Sequence, residues 1–152
     1  MILINTGVRI GELLELKKEN VHLEKQYFEI VSSKTESGIR KVPIANHMIP
    51  IFENWLQYSK ADTLLCTPDH KTLTYRNYYD SYWKPLLEPL NIKYTPHSTR
   101  HTFISNLAEL NTNPTITKLI VGHSGAMSLT ERTYTHLNIQ FLIDAVNDLY
   151  NH

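Results

Sequence analysis

Only one cysteine, Cys66, occurs in the 152 residues, so no disulfide can close within the chain. A solitary thiol is most often a small buried hydrophobe, and such sparing use of cysteine fits a reducing cytoplasm. Neither sign of charge is in excess, with fifteen Lys and Arg against fifteen Asp and Glu. The strongly basic balance that usually marks a nucleic-acid-binding chain is therefore missing. A basic surface would have to come from segregation, and Lys17, Lys18, Lys34, Arg40 and Lys41 do cluster in the first third. No apolar run approaches the roughly 18 residues of a membrane span. Met1-Ile2-Leu3-Ile4 is apolar but has neither the basic leader nor the cleavage site of a secretory signal. No glycine-rich phosphate loop is present, so ATP is not expected. Internal repeats and low-complexity tracts are lacking too. What remains is an ordinary globular composition, at a length most simply read as one domain.

Hydrophobic spacing predicts a mostly helical chain with one small sheet. Met1 to Ile4 reads as the tail of an apolar helix that breaks at Thr6-Gly7, and Ile10, Leu13 and Leu14 mark a short helix starting around Arg9. Three β-prone runs follow, Val21 to Leu23, Tyr27 to Ser32 and Ile39 to Ile44, with Lys34 to Gly38 as the second hairpin loop. Ile49, Phe52, Trp55 and Leu56 recur at helical spacing within 46–58. Thr74 can cap a tyrosine-rich helix running through Trp83, whose end Pro85 and Pro89 disturb. Further helices are expected over 98–110, over 115–121 behind an Asn113-Pro114 cap, and over 139–149.

Chemistry concentrates in Thr95-Pro96-His97-Ser98-Thr99-Arg100-His101, where a loop turns into a helix. Residues three apart share a helix face, and the unpaired N–H groups of a helix start favour anions. His97 and Arg100 can therefore grip a phosphate together, the arginine with a planar fork of donors. Three other fragments stand around this one in order: Thr6-Gly7-Val8-Arg9-Ile10-Gly11-Glu12-Leu13, Val121-Gly122-His123-Ser124 and Tyr134-Thr135-His136. The ordered set resembles the catalytic domain of the tyrosine recombinases, the family of phage and transposon integrases. The similarity runs from about Thr6 to His136. The fold it implies is α+β, mainly α, with a small three-stranded antiparallel sheet.

By that resemblance Arg9 and Arg100 are clamp arginines, His97 and His123 complete the donor set, Lys34 is the general acid and Tyr134 is the nucleophile. Such a set suits attack on a phosphodiester without a metal. Cationic donors stabilise the charge that develops on the non-bridging oxygens, and a lysine on the hairpin protonates the departing 5′ oxygen. A phenol with pKa near 10 attacks only when its proton is removed or its phenolate is stabilised; the cationic pocket serves the latter, and His97 can act as base. Glu12, one turn beyond Arg9, either orients that guanidinium or is a solvated charge. His101 is expected to point elsewhere on its helix, and Tyr150 to belong to the core. Eight histidines raise zinc as an alternative, but no Cys pairing or His-Glu-x-x-His spacing supports it. Metal and cofactor are therefore not expected.

The resemblance further implies site-specific DNA recombination through a 3′-phosphotyrosine, on double-stranded attachment sites. It implies a homotetramer on DNA, a monomer or dimer without it, accessory DNA-bending proteins, and a prokaryotic cytoplasm. Thr35, Arg40, Lys41, Thr74, Arg76 and Thr99 are additional candidates for contacts to the nucleic acid. The opening of the chain falls inside the family's catalytic domain, so residues 1–152 are expected to be that domain truncated at its N-terminus, without core-binding and arm-binding domains. Two other functions fit the same residues: a non-catalytic DNA-binding remnant, and relaxation of DNA as by a type IB topoisomerase.

Overall fold

The computed structural model describes residues 1–32, 38–122 and 138–150. Helix α1 (Ile2–Thr6) ends at Gly7, whose left-handed φ of 65° turns the chain sharply into α2 (Ile10–Leu14). A β-carbon at Gly7 would lie 2.4 Å from Cδ1 of Phe103, so the glycine supplies both the turn and the room beneath it. Strands β1 (Val21–His22), β2 (Tyr27–Ile30) and β3 (Arg40–Pro43) then form an antiparallel sheet in that order. Phe28 faces Val42 and Ile30 faces Arg40, while Glu29 pairs with Lys41 on the opposite face. The inner face of the sheet joins Ile44, Met48, Phe52, Phe103, Leu107 and Ile120 in one core.

Helix α3 (Ile49–Tyr58) follows a short 3-10 turn and buries Phe52, whose ring lies 5.6 Å from that of Phe28. The expected helix through Trp83 is longer and less regular than its sequence suggests. Capped by Thr74, α4 (Tyr75–Tyr78) widens into a π-helical turn over Tyr79–Trp83, continues as α5 (Lys84–Leu87) and closes in a 3-10 turn over Glu88–Leu90. Pro85 does not end it; it stands second in α5, directly behind the widened π-helical turn. Helix α6 (Pro96–Glu109) packs against α1; α7 (Pro114–Val121) and α8 (Ile139–Asp148) both lie on β3. On α8 the residues Leu142, Ile143, Ala145 and Val146 are buried, whereas Phe141, expected among the apolar residues of that helix, faces outward. Tyr150 is half exposed rather than core, with its ring 3.9 Å from that of His47. No helix among the described residues is long and apolar enough to cross a membrane.

Candidate active site

Four chain segments meet beside the start of α6, and arginines join them. The carbonyl of Gly7 accepts a hydrogen bond of 2.8 Å from Nη1 of Arg100, a side chain that is almost wholly buried. Because Phe103 fills the space under Gly7 one turn later on the same helix, α6 is pinned to the α1–α2 turn at two points. Arg9 follows two residues after Gly7 and caps α2. Its Nη1 donates to Oε1 of Glu12 at 2.8 Å and its Nη2 to the carbonyl of Gly122 at 3.3 Å. Glu12 also accepts from the backbone N–H of Arg9 at 3.0 Å, which satisfies a helix-start donor. With its side chain only 9% exposed, Glu12 orients Arg9 and is not a solvated charge. Arg9 itself remains 39% exposed, unlike the buried Arg100.

The electrostatics report the same convergence. Burial, then the charges of Arg9 and Arg40, lowers the Arg100 guanidinium to about 10, against a weaker opposing pull from Glu12. It stays cationic at neutral pH. His97, in the first turn of α6, is pushed below its ordinary value by partial burial, then by His101, Arg100 and Arg9. A neutral imidazole at pH 7 can accept a proton. Burial works to raise the carboxyl of Glu12, but the hydrogen bonds and charge of Arg40, followed by the bonds from Arg9, hold it below the usual range.

The structure thus brings Arg9, His97 and Arg100 together. His123 follows directly on Gly122, the residue whose carbonyl Arg9 holds, but His123, Lys34, Thr35 and Tyr134 lie outside the described residues. Of the candidate nucleic-acid contacts, Lys41 is exposed on β3 with its Nζ 4.7 Å from the centre of the Tyr27 ring. Arg76 is exposed beside Asp80 at 3.7 Å. Thr74 and Thr99 spend their hydroxyls on their own helix starts, the first accepting from the N–H of Asn77 and the second donating to the carbonyl of Pro96. Arg40 is turned inward and does not present its guanidinium to a surface, because Arg40 shares the inner face of the sheet with Val42. His101 does not point away from His97; their rings meet edge-on, centroids 4.8 Å apart, as spacing four on a helix allows.

The sequence model described as the phage integrase family matches residues 1–140. The chain belongs to that family. Among its relatives, the transposase from transposon Tn916 of Enterococcus faecalis is 30% identical over 90% of this chain and 41% of the relative. Tyrosine recombinase XerA of Pyrococcus furiosus is 27% identical over 96% of this chain and 51% of the relative. In three dimensions the chain resembles the integrase of transposon Tn1549, solved in complex with circular intermediate DNA, with a TM-score of 0.71 at 23% identity over 88% of this chain and 56% of the other. The chain therefore spans about two fifths to one half of the length of the curated relatives it matches. The α+β architecture expected from the sequence, helices around a three-stranded antiparallel sheet, is the one observed.

Sequence reasoning missed two features of the site. One is the inward face of Arg40, which its alternation with Lys41 and Val42 along β3 could have signalled. The other is the approach of His101 to His97, which their spacing of four encodes.

Proposed function

We propose that this domain breaks and rejoins DNA strands in site-specific recombination, through a covalent 3′-phosphotyrosine. The observation that carries the reading is the hydrogen bond from Arg100 to the Gly7 carbonyl, which sets the start of α6, with His97 and Arg100, against the turn that carries Arg9. Their fixed donors suit a phosphoryl group whose negative charge grows in the transition state. The phenolic oxygen of Tyr134 attacks the scissile phosphorus while His97 takes the phenol proton. The bond to the 5′ oxygen breaks, and Lys34 protonates that oxygen as it leaves. His123, next to the carbonyl that Arg9 holds, adds a donor to a non-bridging oxygen. The phosphotyrosine keeps the energy of the broken bond, so a 5′ hydroxyl from a partner strand reverses the step without ATP. Attachment sites in double-stranded DNA are the substrates, and a tetramer assembled on two such sites in the cytoplasm of a prokaryotic host is the working form. Lys41 and Arg76, both exposed, are the cations among the candidate contacts that remain open to phosphates outside the site.

The test uses a library of nicked duplexes of randomised sequence, in which the cleaved strand loses a short fragment and cannot religate. The chain should form protein–DNA adducts that survive denaturation, and Tyr134→Phe should abolish them while retaining DNA binding. Adducts that persist in Tyr134→Phe would remove Tyr134 from the role.

A further inference from the structure

Arg40 is the most heavily bonded side chain of the cluster, and no step of the reaction above uses it. Its side chain is 6% exposed. The Nη1 and Nη2 atoms reach Oε1 and Oε2 of Glu12 at 3.1 and 2.9 Å, a two-point grip on the carboxylate that also holds Arg9. Its Nε donates to the carbonyl of Ile120 at 2.8 Å and Nη1 donates to that of Gly38 at 2.7 Å. Three segments therefore end on one guanidinium: the Arg9 turn through Glu12, the end of α7 through Ile120, and the residues leading into β3 through Gly38. The backbone is fitted to it as well. A β-carbon at Gly122 would stand 2.8 Å from Nη1 and 2.9 Å from Cδ and Cζ, so Gly122 lets α7 close on the arginine.

We infer that Arg40 is a positioning residue for DNA cleavage, a buried hub that sets Arg9 through Glu12. The inference rests on the reading of Arg9 as a phosphate clamp. A lysine cannot replace the hub, because one ammonium cannot span both carboxylate oxygens and two carbonyls at once. Misplacing reactive groups by about 1 Å can cost on the order of 10²-fold in rate.

In single-turnover reactions at saturating concentration of a duplex recovered from the library above, Arg40→Lys should cleave roughly 10–100-fold more slowly, with DNA affinity within about twofold of the unaltered chain. The loss should not add to that of Arg9→Lys: if Arg40 works through Arg9, the double variant cleaves about as slowly as Arg9→Lys alone. Full additivity would overturn the inference. So would lost affinity at an unchanged saturating rate, which would make Arg40 a DNA contact, or no change in either quantity. Should Arg40→Lys fail to fold, the pair Glu12→Gln with Arg40→Gln removes both buried charges together and should show the same split between rate and affinity; an unaltered rate in that pair counts against the hub. NMR of the unaltered chain gives a reading independent of cleavage. The Arg40 Nε–H, held on the Ile120 carbonyl, should give a resolved, slowly exchanging resonance without DNA. A rapidly exchanging one would contradict the geometry even if the chain formed adducts, whereas an absence of adducts beside a protected Nε–H would count against the proposed function only.

Discussion

Glu12 holds two arginines on one carboxylate, and its titration reads out the state of the whole cluster. Its carboxyl, ordinarily near 4.5, is lower in the folded chain because the bonds from Arg40 and Arg9 outweigh the cost of burial. A depressed folded value means that the ionised form stabilises the fold; this stability is complete above 4.5 and is lost as the pH falls through the lower folded value. Glu12→Gln should therefore unfold more easily at pH 7, by on the order of 2 kcal/mol, the scale of hydrogen bonds to charged groups. It should also show a shallower loss of stability below 4.5 than the unaltered chain. Urea unfolding from pH 7 to pH 3 measures both effects, and parallel curves for the two proteins would contradict the assignment.

Turns and register decide which side chains reach the site. Gly7 combines a φ of 65° with direct contact to Phe103, so Gly7→Ala meets both a left-handed backbone penalty of about 1–2 kcal/mol and crowding worth about 1–3 kcal/mol. Thermal unfolding should show a marked fall in melting temperature, larger than for Gly11→Ala, where a β-carbon meets nothing within 4 Å. Most elements were legible in the sequence because their apolar periods are plain: the three strands and the helices over Ile49–Tyr58, Pro96–Glu109, Pro114–Val121 and Ile139–Asp148 lie close to where those periods put them. The helical path beyond Trp83 was not, since Pro85 reads as a stop until the widened turn before it is seen. Arg40 was misplaced for a different reason. Grouping it with Lys41 as surface charge ignored the period of two that sends neighbouring strand residues to opposite faces. Spacing of three put His97 and Arg100 on one helix, as observed, while the link from Glu12 to β3 is tertiary and no spacing encodes it.

For the molecule as a whole, the proposed function requires distant segments to meet around one phosphoryl group, with Arg9 and Arg100 supplying charge that the neutral composition conceals. The most direct measurement compares two substrates with one protein. Arg100→Ala should cleave the ordinary phosphodiester about 10²–10³-fold more slowly than the unaltered chain, the usual cost of one transition-state donor. Replacing one non-bridging oxygen of the scissile phosphate by a methyl group removes the charge that the arginine offsets, and cleavage by Arg100→Ala should recover most of that loss. Any effect of the substitution on folding is common to both substrates and cancels. Equal impairment on the charged and the neutral phosphate would contradict the claim that Arg100 acts by stabilising phosphoryl charge.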